Sequence, residues 1–252
     1  MTWIFLLSMS WAGDSIRCPT RTEKVGREGA GVWCETEDRE KHGPWRRWYP
    51  DGQIWEEGAY FQDKKQGLWV EYRRDGGLRT KKKYKRGDLH GEWAIYSATD
   101  PIEEGQYRNH SRVGEWFFYD DTFVLRSTGR YRHGKRHGNW VTYSEKGTKK
   151  EHQTYVDGRR DGQQVWFYPS GEVKEQGEYE LGYREGLFEG WHRNGVQSQE
   201  GAYSRGIRQG VWTFWNEQGQ KDMDRSGRYI DGGLAESLHD LGERLLQDVS
   251  RE

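Results

Sequence analysis

Aliphatic residues are scarce in this chain. Leu, Ile, Val and Phe together supply 40 of its 252 residues, too few for the usual single core of a chain this long. Such scarcity marks disorder when one sign of charge dominates. Here 40 basic and 41 acidic residues leave a net charge of −1. That balance weighs against a nucleic-acid binder working by global attraction and leaves room only for a local patch. Cysteine is nearly absent, at two residues. A zinc site wants a fuller ligand set, and no second Cys pair or His pair stands near them. His42, His90 and His137 recur along one edge of the pattern described below. They are about 19 Å apart from strand spacing, too far to share an ion. No run approaches the roughly 20 apolar residues of a membrane span. Nucleophile elbows, phosphate-cradling loops and metalloprotease helices are all missing. The expectation is a protein that is not an enzyme and holds no cofactor or metal.

What the chain has is aromatics, at 15%, and 34 glycines, and both keep time. Glycines stand at 43, 67, 91, 114, 138, 162, 186 and 210, six intervals of 24 residues and one of 23. A fixed period in the twenties is the mark of stacked repeats. Two residues after each glycine come Trp45, Trp69, Trp93, Trp116, Trp140, Gln164, Phe188 and Trp212. Five after come Trp48, Tyr72, Tyr96, Tyr119, Tyr143, Phe167, Trp191 and Trp215. A later tyrosine closes each copy, from Tyr60 to Tyr229, the last after a two-residue slip. Two aromatic-rich runs around a glycine turn predict one β-hairpin per copy. The third and fourth copies lack the first-turn glycine, with Asp100 and Phe123 in its place, and their loops are expected to be irregular.

This pattern resembles the MORN repeat in its bacterial variant form, over residues 43–232 and all eight copies. The resemblance implies an all-β fold: an elongated single-sheet solenoid of stacked β-hairpins with a groove. It also implies two alternative roles. Variant arrays of this kind are similar to antitoxin-like proteins, which would make this a cytoplasmic immunity protein neutralising a toxin. MORN repeats elsewhere are linked to anionic lipids, which would give weak membrane contact.

Outside the array, residues 1–12 read as a secretory signal, apolar from Trp3 to Met9 and ending Ser10-Trp11-Ala12. Residues 13–42 read as an N-terminal cap over the first hairpin's edge. Cys18 and Cys34 lie within it and read as one disulfide. The segment also resembles the Cys-Pro … Trp-Cys … His-Gly-Pro lead-in of secreted bacterial repeat proteins. Residues 233–252 read as a short C-terminal capping helix, with Leu234, Leu238, Leu241 and Leu245 at helical spacing. A secreted or periplasmic location follows from the leader and the cysteine pair.

Two surfaces stand out as candidate sites. Arg79, Lys81, Lys83 and Lys85 share one strand face and form a candidate patch for anionic ligands. The aromatic columns at two and five residues after each glycine differ by an odd number. Either a bulge brings them together or the sheet carries rings on both faces. A single-layer sheet cannot cover both faces, so one column is expected to line a groove. The candidates are Trp69, Trp93, Trp116 and Trp140 with Tyr72, Tyr96, Tyr119 and Tyr143. The role expected is a scaffold binding a protein partner or surface ligand.

Overall fold

The computed structural model describes residues 16–249; the secretory signal expected at 1–12 lies outside them. The chain divides at the start of its ninth strand, between Ser111 and Arg112, into two compact units. The first contains β1 (Glu23–Arg27), β2 (Gly31–Glu35), β3 (Lys41–Trp48), β4 (Ile54–Phe61), β5 (Lys64–Tyr72), β6 (Leu78–Lys85), β7 (Asp88–Ser97) and β8 (Asp100–Arg108). Each strand pairs antiparallel with the next. The second contains β9 (Ser111–Tyr119), β10 (Leu125–Arg132), β11 (Lys135–Tyr143), β12 (Lys149–Val156), β13 (Arg159–Phe167), β14 (Val173–Glu180), β15 (Tyr183–Trp191), β16 (Gln197–Ser204), β17 (Ile207–Phe214), β18 (Gly227–Ile230) and β19 (Gly233–Ser237), then helix α1 (Leu238–Val249). These strands too form an antiparallel meander. The all-β class with one short C-terminal helix is as the sequence predicts.

Both aromatic columns have a home because the sheet carries rings on both faces. On one face, here the closed face, four rings of the first column pack on a glycine of the preceding strand. Trp140 sits over Gly129, where a Cβ would lie 2.2 Å from the indole; Trp69 covers Gly58, Phe188 covers Gly177 and Trp212 covers Gly201 in the same way. Tyrosines flank each ring edge-on, as Tyr131 does Trp140 at 5.1 Å between centroids. A basic residue two before the opening glycine then lies over the rings: Lys65 on Trp69, Arg112 on Trp116, Arg136 on Trp140 and Arg208 on Trp212. The magnitudes rank these effects. Burying a tryptophan removes roughly 200 Å² from water, worth about 5 kcal/mol before entropy. A cation over a ring adds about 1 kcal/mol. Ring burial therefore holds the face together, and the cations seal it.

The pairing varies along the column, with Trp45 facing Trp33 and Trp93 facing Lys82, and one break repairs itself. Where the sixth copy has Gln164 instead of tryptophan, the facing residue is Gln153 instead of glycine. The large-on-small pair becomes two mid-sized amides, both buried. Gln164 donates to Glu151 at 2.6 Å and Gln153 to the carbonyl of Thr154 at 2.8 Å.

The two edges differ. At the second-turn edge each connection is two residues with φ positive at both, as in Asp157-Gly158 (47° and 89°) and Gln62-Asp63 (50° and 58°). That is the turn whose twist matches paired strands. The turn amide donates to a carbonyl 21 to 24 residues earlier, as from Gly158 to Arg136 at 2.8 Å. At the first-turn edge, side chains join neighbouring copies: the Tyr49 hydroxyl donates to the Tyr72 carbonyl and the Tyr168 hydroxyl to that of Trp191. The fourth copy's loop is regular, contrary to expectation. Phe123 takes a φ of 63° and donates its amide to the Asp120 carbonyl, because Asp120 Oδ1 also gathers the amides of Thr122 and Val124. The third copy absorbs its missing residue in a shortened turn, with Ser97 paired to Asp100.

The termini extend the sheet further than expected. Residues 23–35 are a hairpin whose second strand pairs with β3. Cys18 and Cys34 are bonded, with Cα atoms 5.5 Å apart, over a small cluster of Ile16, Val32 and Trp48. The capping helix starts later than the leucine spacing suggests. Leu234 lies in β19, while Leu238 and Leu241 lie in α1; the side chain of Leu245 is outside those described. Ser237 and Asp240 cap the helix reciprocally, the Asp240 amide donating to Ser237 Oγ at 3.0 Å and the Ser237 amide to Asp240 Oδ2 at 3.3 Å. Such a box fixes the first helical turn, which is why the strand runs on to Ser237.

Candidate functional site

The expected groove residues fall on opposite faces. Trp69, Trp116 and Trp140 are between 0% and 2% exposed. They belong to the sealed interior, which corrects their assignment as a contact surface. Trp93 is half-buried in the same column, edge-on to Tyr107. For Trp69 and Trp140 the physical reason is the glycine beneath and the cation above, neither visible from ring spacing alone; Trp93 has Lys82 across from it instead.

Tyr72, Tyr96, Tyr119 and Tyr143 lie on the other, open face and stay half-buried. Each pairs across its hairpin with Leu78, Pro101, Leu125 or the stem of Lys149. Phe167 pairs likewise with Val173. In the first unit this lane runs beside a groove of about 650 Å³, lined by Ala59, Leu68, Val70, Tyr72, Leu78 and Lys81. Its polar wall is a network. Arg46 donates twice to Glu57, at 2.9 and 3.1 Å, and the Tyr72 hydroxyl donates to Glu57 at 2.8 Å. Burial first, then this bond to a carboxylate, pushes the Tyr72 hydroxyl far above its ordinary pKa.

The basic strand is divided as period two requires. Arg79, Lys83 and Lys85 are exposed. Lys81 lies 5.5 Å from the Tyr96 ring and lines the groove. On the closed face Lys82 meets Glu71 at 3.6 Å.

A second basic site lies in the second unit and was not legible as a run. A groove of about 600 Å³ on the first-turn edge is lined by Tyr143, Phe167 and Tyr168 and by Arg126, Lys146, Lys149, Lys150, Lys174 and Arg193, against the single carboxylate of Glu145. Arg126, Lys150 and Lys174 hold the same place in three consecutive copies, twelve residues after Gly114, Gly138 and Gly162. Counting basic residues by repeat position would have found them. Arg126 meets Asp120 at 3.5 Å and Glu145 at 3.7 Å. Among the described residues, Lys146, Lys149, Lys150, Lys174 and Arg193 have no carboxylate within ion-pair distance. Lys174 and Arg193 instead stand 6.0 and 5.8 Å from the Tyr168 ring.

Comparison with known proteins gives a family and little else. No curated protein matches. A solved structure titled "Crystal Structure of TcdB2-TccC3-Cdc42" is similar at 12% identity over 74% of this chain, with a TM-score of 0.20. A score that low carries no argument, and the chain spans only 12% of that one. The sequence model of the MORN repeat variant matches residues 41–63 and 160–181, which are the strands β3–β4 and β13–β14 with their turns. With the same hairpin recurring on the same period between and beyond those segments, the chain is a MORN repeat protein.

Proposed function

We propose that this protein is a non-enzymatic scaffold that binds a protein partner through its open face, in an oxidising compartment outside the cytoplasm. One observation carries the reading: the second ring column stays half-exposed beside grooves in both units, while the first is consumed in holding the sheet together. Half-exposed aromatics with aliphatic neighbours are the material of binding hot spots. The Cys18–Cys34 bond supports the compartment, since such bonds persist where thiols are not kept reduced.

The test substitutes the open face alone. Tyr96→Ser with Tyr143→Ser should leave the far-UV spectrum of the sheet intact and abolish capture of partners from the host's envelope fraction. Unchanged capture by this variant would remove the open face from consideration. For the compartment, the intact mass from the native host without reductant should lack residues 1–12 and two hydrogens. A full-length mass with free thiols would instead favour a cytoplasmic toxin-neutralising role.

A further inference from the structure

We infer that the basic groove of the second unit binds an acidic segment in polyproline II conformation, carrying a carboxylate at every third residue. This deepens the scaffold reading above and rests on it.

The argument is one of period, charge and floor. Arg126, Lys150 and Lys174 recur once per hairpin, so they step along the groove by two strand spacings, about 9.6 Å. A polyproline II helix makes one turn in three residues at 3.1 Å each, a pitch of about 9.3 Å. Its every third side chain therefore meets successive cations with almost no slip over two steps. An extended β-strand fits worse. It rises about 3.3 Å per residue and returns to the same side only at even intervals, about 6.6 or 13 Å.

Two of the three periodic cations carry uncompensated charge, while Arg126 is already met by Asp120 and Glu145. Lys150 and Lys174 have no carboxylate partner among the described residues, and Glu145 is the groove's one acid, engaged with Arg126. The chain as a whole is neutral to within one charge. Attraction is thus confined to the groove, which suits a short acidic segment better than a long polyanion.

The floor supplies the remaining specificity. Tyr143, Phe167 and Tyr168 line the groove between the cations. Tyr168 is fixed there by its bond to the Trp191 carbonyl at 2.7 Å. Aromatic-floored grooves receive the rings of proline-rich segments. A flat lipid headgroup layer offers the charge and lacks the apolar rings to fill the recess.

The experiment titrates the full-length protein with three fluorescent nonapeptides: three repeats of Glu-Pro-Pro, the block isomer with three Glu followed by six Pro, and three repeats of Gln-Pro-Pro. The periodic acidic peptide is expected to bind at least about tenfold tighter than either of the others. Lys150→Glu with Lys174→Glu, both exposed, should remove that binding without shifting the thermal midpoint. Equal binding of the periodic and block acidic peptides would overturn the register argument. Displacement of the periodic peptide by tripolyphosphate or phosphatidylserine vesicles at equal charge would overturn the peptide as the ligand. If no acidic peptide binds while Tyr96→Ser with Tyr143→Ser still abolishes partner capture, this inference falls and the scaffold reading stands. If neither experiment gives an effect, both fall.

Discussion

Single residues report the sheet's rules most directly where they bend them. Leu181 occupies a left-handed turn position at φ 51° and is well exposed, a conformation that costs leucine more than asparagine. Leu181→Asn should raise the urea midpoint, by about 0.5–1 kcal/mol in stability; a lowered midpoint would mean the side chain contributes something exposure conceals. Gln153 and Gln164 test the closed column. Gln164→Trp alone drives an indole into Gln153, and Gln153→Gly alone leaves a hole, so each should destabilise by about 1–3 kcal/mol. The double change rebuilds the pairing seen at Gly129 and Trp140 and should recover most of the loss. A double-mutant cycle with coupling below about 0.5 kcal/mol would refute this. Asp120 brings in pH. The Thr122 hydroxyl, first, then backbone amides and Arg126 hold its carboxyl below the ordinary range. A carboxyl held low contributes stability that is present above its unfolded pKa and is lost as pH falls through the folded one. Urea midpoints should thus drop on acidification from pH 5 to pH 3 by more in the native protein than in Asp120→Asn.

Elements show how far the sequence could be read. The period placed the hairpins between residues 43 and 232, because turn glycines and rings recur in step with the strands, and the MORN resemblance supplied the stacking. The faces were harder. Parity required the two ring columns to part, but which one is sealed depends on Gly58, Gly129, Gly177 and Gly201, positions whose meaning is the absence of a Cβ under an indole. Among so many turn glycines they carry no separate signal. The basic groove was illegible for another reason: its cations are spread over four copies, those at the same repeat position 24 residues apart, whereas the eye finds a run such as Arg79–Arg86. The late start of α1 follows from the cap at Ser237, which competes with leucine spacing and wins. At the other end, the Cys18–Cys34 bond closes a loop spanning 16 positions, worth about 3 kcal/mol by loop entropy. Cys18→Ala should speed amide exchange in β1 and β2 while β5 to β8 keep their protection. Uniform loss across those strands would show instead that the hairpin is integral to the whole unit.

Across the molecule, stability is local by construction. Within each unit each strand touches its sequence neighbours, so damage should spread by contact, as in other repeat arrays. Gly201→Ala would place a methyl about 2 Å from the Trp212 indole; exchange should quicken in β15 to β18 well before β10 to β12. The two edges then have different fates. On one, every turn is two residues long and tied by its amide to the copy before, so a residue added there would break the tie. On the other, the third copy has already lost a residue with its strands still paired, and the last hairpin carries extra ones. Length can drift along that border while the interior stays fixed. In the second unit the basic groove opens on first turns of this kind. A lineage of such chains can therefore rewrite what it recognises by trimming and lengthening loops, leaving the indole-on-glycine stem unaltered.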